Sequence, residues 1–203
     1  MTKVILVRHG QTRWNLEQKY QGHTDIELTE LGIRQAQLVA ERLASENVAA
    51  VFASDLSRAY KTAEFIAAKH GLPVVSVPAL REIRFGAWEG LTYDGINSQW
   101  PDIMKKLYTH PDDVVIPGGE TFRELKARAE GAIERIVSEH PNQTIVVVSH
   151  GGTIRTLLCA ALNIHLNYVW NIRQDNTAVN IIEYYRDRAV VTLVNDVHHL
   201  KGL

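Results

Sequence analysis

Only one of the 203 residues is a cysteine, so no disulfide can form within the chain, and a reducing compartment, the cytoplasm, is the expected location. That residue, Cys159, stands in the apolar run Leu157 to Ala161, where a buried thiol is expected. Excess charge of either sign is also missing: 22 Lys and Arg against 23 Asp and Glu leave a formal net charge of −1. Without a basic run or face, nucleic acid and membrane surfaces are excluded as main partners. No apolar stretch approaches the length that spans a bilayer, and no cleavable apolar leader opens the chain. There is no Gly-Lys-Ser/Thr phosphate loop, no aspartate-rich cluster and no spaced histidine pair; His198 and His199 are adjacent and point apart in either a strand or a helix. Neither a metal nor a cofactor is therefore expected. With 45% hydrophobic residues, no internal repeat and no Gly/Pro-rich linker, residues 1–203 read as one domain with small-molecule chemistry.

Three apolar runs, Val4 to Val7, Ala49 to Ala53 and Thr144 to Ser149, have the unbroken character of buried parallel strands. Each precedes a helical pattern. Thr29 can cap a helix with Ile33, Ala36, Val39, Ala40 and Leu43 on one face. A second helix runs from Asp55 or Leu56 to Ala68 and stops at Gly71-Leu72-Pro73. Pro73 to Val77 restores the strand pattern. Thr121 and Glu124 have capping-box spacing at the start of a third helix, with Phe122, Leu125, Ala129, Ile133 and Ile136 as its buried stripe. Ala178 to Tyr184 and Ala189 to Val194 are closing strands around a polar turn. The alternation predicts an α/β fold: a three-layer α/β/α sandwich with a mostly parallel central sheet. Residues 91–117 have no clean period and are expected to form a helical insertion over part of the sheet's edge.

Ligands of open α/β sheets bind beyond the carboxyl ends of the strands. The first strand ends in Arg8-His9-Gly10, the second leads to Arg58 in a first helical turn, and the third ends in Ser149-His150-Gly151-Gly152. Two arginines and two histidines therefore emerge on one side. An arginine at the end of a buried strand requires an anion, and two of them suit a doubly charged tetrahedral one, phosphate. Gly10 allows a tight turn against the ligand, Asn15 can supply a further donor, and Gly151 and Gly152 offer free N–H groups at a helix N-terminus. A histidine beside fixed positive charge stays neutral and keeps a lone pair able to attack phosphorus, while the other can donate to a phosphoryl oxygen. A cysteine-based phosphatase is excluded, because the position six residues after Cys159 is His165 and not arginine.

The segment Leu6 to Asn15, LVRHGQTRWN, resembles the signature of the histidine phosphatase superfamily, also called the phosphoglycerate mutase-like family. Further motifs agree in order and spacing: Leu28-Thr29-Glu30-Leu31-Gly32, Ser54 to Ala59, Leu80-Arg81-Glu82-Ile83, Gly118-Gly119-Glu120-Thr121 and Val148 to Gly152. The resemblance implies a phosphoglycerate mutase-like fold, with His9 as the phosphorylated nucleophile and Arg8, Arg58 and His150 as the phosphate pocket. It also implies Asn15 as a secondary phosphate ligand and Glu82 as proton donor to the leaving oxygen. By pattern alone Glu82 reads as an exposed loop charge, and Glu89 is the runner-up for the acid.

A short member whose Glu82 segment lacks the tyrosine-containing form of the glycolytic mutases resembles the phosphatases of the family. The implied activity is metal-independent hydrolysis of a small phosphorylated metabolite, with phosphoserine, α-ribazole 5′-phosphate or a broad range of esters as candidates. A cofactor-dependent phosphoglycerate mutase is the alternative. A phospholigand-binding module without turnover is a second, opposed by the presence of both His9 and Glu82. Trp88, Tyr93, Trp100, Met104 and Tyr108, in and beside the 91–117 segment, suit a pocket wall that sets specificity and equally suit core packing, and Gln174-Asp175-Asn176-Thr177 and His199 can provide polar contacts. A homodimer is left open.

Overall fold

The structure, a computed structural model, describes residues 1–203. Six strands, β1 (Thr2–Arg8), β2 (Val48–Ala53), β3 (Val74–Ser76), β4 (Thr144–Ser149), β5 (Val179–Tyr184) and β6 (Ala189–Asp196), form one sheet in the order β3-β2-β4-β1-β5-β6. The first four are mutually parallel where they pair. β5 runs antiparallel to β1 and β6 antiparallel to β5, as expected for strands joined by a short turn. The helices are α1 (Arg13–Leu16), α2 (Glu30–Leu43), α3 (Ser57–His70), α4 (Tyr93–Gln99), α5 (Pro101–Thr109), α6 (Phe122–Glu139) and α7 (Gly151–Ala161).

Alternation of side chains along the strands divides the core into two layers. Val4, Leu6, Ile145 and Val147 pack with α6 and α7 through Ala129, Ile133, Ile136, Ile154 and Leu158. Ile5, Val7, Val146 and Val148 pack with α2 and α3 through Val39, Leu43, Ala63 and Ile66. Thr29 caps α2 by accepting from the Gly32 N–H, and Thr121 with Glu124 makes the capping box of α6. α3 begins at Ser57 without a cap from its own N-cap residue, Leu56, and the Ser57 N–H donates instead to Asp25 Oδ1 at 2.9 Å, while the Asp55 carboxylate is taken up by Arg81.

The 91–117 segment is helical but does not cover a sheet edge. Its Ile96, Met104, Leu107, Val114 and Ile116 form a third core with Ile83, Trp88, Phe122, Cys159 and Val169, to which no strand contributes. Trp170 Nε1 ties this segment to the turn that follows α7 by donating to the Leu107 carbonyl, 2.6 Å away. α4 and α5 have apolar residues enough for a small core of their own, so they pack beyond the strand ends and wall the site there. Trp88 and Met104 are fully buried in it and Trp100 packs against it, which removes all three from the expected specificity set.

Candidate active site

Register places the first and third motifs side by side. Arg8 pairs with Ser149 across the parallel β1–β4 ladder, and the His9 N–H continues it by donating to the Ser149 carbonyl at 3.0 Å. His9 and His150 thus emerge from adjacent strands with ring centroids 5.2 Å apart. Arg58 reaches the same point from the first turn of α3, fully buried. A cavity of about 250 Å³ is lined by Arg8, His9, Asn15, Arg58, Glu82 and Gly151, with His150 buried behind it.

The two arginines are charged and unpaired. Arg8 Nη1 donates to the Gln174 carbonyl at 2.6 Å, and Arg58 donates to the Thr24 and Gly22 carbonyls at 3.0 and 2.8 Å. Neither meets a carboxylate, and the Nε of each is buried without an acceptor, as is Nδ1 of His150. Burial lowers both guanidinium pKa values to about 10, so both remain cationic at neutral pH. Buried donors of this kind are costly unless a ligand satisfies them.

His9 Nδ1 lies 2.7 Å from the Gly10 carbonyl, which can only accept, so the proton of the neutral ring is on Nδ1 and the lone pair on Nε2. Burial first, then the charges of Arg58 and Arg8, hold His9 well below the ordinary imidazole pKa. His150 is depressed by burial, Arg58, His9 and Arg8 in that order, and its Nε2 meets the Ser54 hydroxyl at 2.8 Å. Asn15 Oδ1 accepts from the Thr12 N–H and from Asn176 Nδ2 at 3.0 and 3.2 Å, which leaves the Asn15 amide nitrogen as the end free to donate.

Glu82 is carried into the cavity wall by an anchored segment. Arg128, on α6, donates to the carbonyls of Ala79, Arg81 and Glu82, each at 2.8 Å, and pairs with Glu120. His23 Nε2 donates to the same Glu82 carbonyl at 2.9 Å. The Glu82 carboxylate accepts from the Gly152 N–H at 2.9 Å through Oε2, and from the Thr153 and Ile83 N–H groups at 3.1 and 3.0 Å through Oε1. The N-terminus of α7 therefore holds a carboxylate of the protein. Of the two glycine N–H groups expected to be free, that of Gly152 is already engaged.

Several other expectations are corrected. A Cβ on Gly10 would lie 2.4 Å from the Gly32 carbonyl oxygen, so its smallness is required by the crossing of two backbones. Glu89 accepts from the N–H groups of His23, Thr24 and Phe85, which organises the loop whose carbonyls orient Arg58. Gln174 pairs its side chain with Asn180 and gives Arg8 only its carbonyl. Asp175 pairs with Arg173 and Asn195, and Asn176 donates to the His9 carbonyl at 3.1 Å. His199 bonds Thr177 at 3.1 Å and is lowered by burial to about 4. This C-terminal group buttresses the site from behind.

Tyr108 lines the cavity, as expected, whereas Tyr93 only flanks it through a ring contact with Tyr108. Tyr20, Arg155 and Trp170 also line it and were not singled out by sequence, nor was Arg128. Arg128 had one signal: it falls on the inward side of α6, between Leu125 and Ala132, where a charge needs a partner.

The chain matches the family model for the histidine phosphatase superfamily (branch 1) over residues 4–197. It is 41% identical to phosphoglycerate mutase-like protein 4 of Arabidopsis thaliana over 203 residues, covering 98% of this chain and 87% of that one. It is 34% identical to phosphoserine phosphatase 1 of Hydrogenobacter thermophilus over 200 residues, covering 98% and 95%. A mutant phosphoserine phosphatase from Entamoeba histolytica, solved in complex with phosphoserine, superposes with a TM-score of 0.90 at 33% identity over 98% of this chain and 100% of that one. With its arginines and histidines gathered at the ends of β1, β4 and α3 as that family's motifs require, this chain belongs to the histidine phosphatase superfamily.

Proposed function

We propose that the protein hydrolyses small phosphate monoesters through a phosphohistidine on His9. The observation that carries this reading is the pairing of a neutral imidazole, its Nε2 lone pair unprotonated, with two buried guanidiniums whose Nε groups have no acceptor. Phosphoserine, an ester of the size the cavity accommodates, is the favoured substrate, on the strength of the relative and the neighbour named for it.

His9 Nε2 attacks phosphorus as the bond to the ester oxygen breaks. Arg8, Arg58, His150 and the Gly151 backbone hold the charge on the transferring group, and Asn15 donates from the side. Glu82 gives its proton to the departing alkoxide. Its Oε2, which accepts one backbone N–H where Oε1 accepts two, is the oxygen with room for that proton. A water then attacks the phosphohistidine, Glu82 takes the proton back, and phosphate leaves with His9 neutral again. No step calls for a metal ion. The 91–117 segment shapes the outer cavity through Tyr108.

The test is release of phosphate from a panel of monoesters with and without chelator, together with isomer exchange on 3-phosphoglycerate. Chelator-insensitive release is the expected result. Fast exchange between 3- and 2-phosphoglycerate with little release would make the protein a mutase instead.

A further inference from the structure

The cavity contains a third cation that phosphoryl transfer does not use. Arg155 lies one helical turn beyond Gly151 on α7. Its Nε donates to the Ile172 carbonyl at 2.7 Å, its guanidinium lies over the Trp170 ring at 5.3 Å from the centroid, and its two terminal nitrogens have no acceptor in the protein. A Cβ on Gly151 would be 3.0 Å from Arg155 Nη1 and 3.5 Å from Arg8 Nε, so the two guanidiniums stand on either side of that glycine. Their repulsion is second only to burial in lowering Arg8, and burial lowers Arg155 as well. Two like charges, both partly desolvated, are costly to hold together without an anion for each. Lys19, another cation in the wall, is already paired with Glu17 at 2.7 Å. Arg155 is the one left open.

We propose that Arg155 binds a carboxylate of the substrate, which makes the preferred ester a small phosphorylated carboxylic acid. The inference rests on the phosphatase reading and deepens it. With Nε committed to Ile172, the terminal Nη1 and Nη2 form a planar pair that matches the two oxygens of a carboxylate. Trp170 beneath the guanidinium fixes its plane. Arg155 lines the same cavity of about 250 Å³ as Arg8, His9 and Arg58, so a short acid esterified to the bound phosphate has Arg155 in the same wall.

The experiment is a cycle of two substrates and two enzymes: phosphoserine and its neutral carboxamide, with the wild type and Arg155→Gln. A charge-assisted pair contributes about 1.5–3 kcal/mol, so the wild type is expected to prefer the acid by roughly 10- to 100-fold in kcat/KM. Arg155→Gln should abolish that preference and Arg155→Lys should restore part of it. A purely structural role for Arg155, through Trp170 and Ile172, would lower both substrates by the same factor and leave the ratio intact, which overturns the proposal. Should the Gln variant lack a native circular dichroism spectrum, the wild-type ratio still decides, since equal turnover of acid and amide contradicts it. Preference for a bisphosphate over every carboxylate ester would contradict it too. Failure of the wild type to release phosphate from any ester would instead remove the phosphatase reading on which it stands.

Discussion

The N–H of Gly152 donates to Glu82 Oε2 across 2.9 Å, and a Cβ added to Gly152 would lie 2.5 Å from Glu82 Oε1. The second residue of α7 is thus small enough for the proposed acid to rest on the first turn of that helix. Gly152→Ala should displace the carboxylate without touching the phosphate pocket. Misplacing a catalytic group by about 1 Å can cost roughly 10²-fold, so kcat on alkyl phosphates should fall by that order while inorganic phosphate still binds. Unchanged kcat would separate Glu82 from the chemistry.

Glu82 and Glu89 should differ in their dependence on the leaving group. Removing a general acid slows alkyl esters by roughly 10²–10⁴-fold but matters little for an acidic phenol. Measured as the first-turnover rate of His9 phosphorylation, Glu82→Gln should therefore lose far more on phosphoserine than on p-nitrophenyl phosphate. Glu89→Gln turns an NH2 group toward backbone N–H donors, so it should slow both esters alike and destabilise the protein by about 1–3 kcal/mol. Rates on the two esters and a denaturant titration decide between them.

Arg8 and His9 could be read from sequence because an arginine and a histidine directly after a β-branched run have few structural uses. Register then places them beside His150, and the strand patterns already implied that neighbourhood. Glu82 is different. Its segment has no regular period, its position depends on Arg128 forty-six residues away, and only the family resemblance marked it. Arg155 carried no mark in the sequence, because nothing local reveals that Trp170 and Ile172 fold over it. For Trp88 and Met104 the sequence left pocket wall and core both open, because hydrophobicity does not tell a cavity lining from a core; the structure places them in the core that α4 and α5 help to build.

Stability should fall with acid through the two histidines. Both native pKa values lie below the unfolded value of about 6.5, so below that pH the unfolded chain binds protons that the native state refuses. The contribution of each neutral histidine is present above about pH 6.5 and is lost as the pH falls toward its native pKa, with a limiting slope of about 1.4 kcal/mol per pH unit. His9→Gln should remove one proton's share of that slope. Denaturant unfolding of both proteins from pH 7 to pH 5 measures the difference, and parallel pH profiles would show that His9 is protonated equally in both states.

Phosphate should stabilise the native protein by satisfying the buried donors of Arg8 and Arg58. At a hundred times its dissociation constant a ligand adds about 2.7 kcal/mol, which should appear as a rise in Tm with inorganic phosphate and with vanadate. Arg58→Met should abolish most of that rise. A variant that keeps the full shift would place Arg58 outside the anion site.

The central claim concerns one nitrogen, Nε2 of His9. In Glu82→Gln, p-nitrophenyl phosphate should still phosphorylate the enzyme, since its leaving group needs no proton, whereas hydrolysis of the intermediate lacks its base. An alkaline quench preserves a phosphoramidate, so mass spectrometry should find one phosphoryl group on His9, and phosphorus NMR of the digest should assign it to Nε2. A burst of p-nitrophenol with no phosphohistidine, or with the phosphoryl group on another residue, would contradict the account.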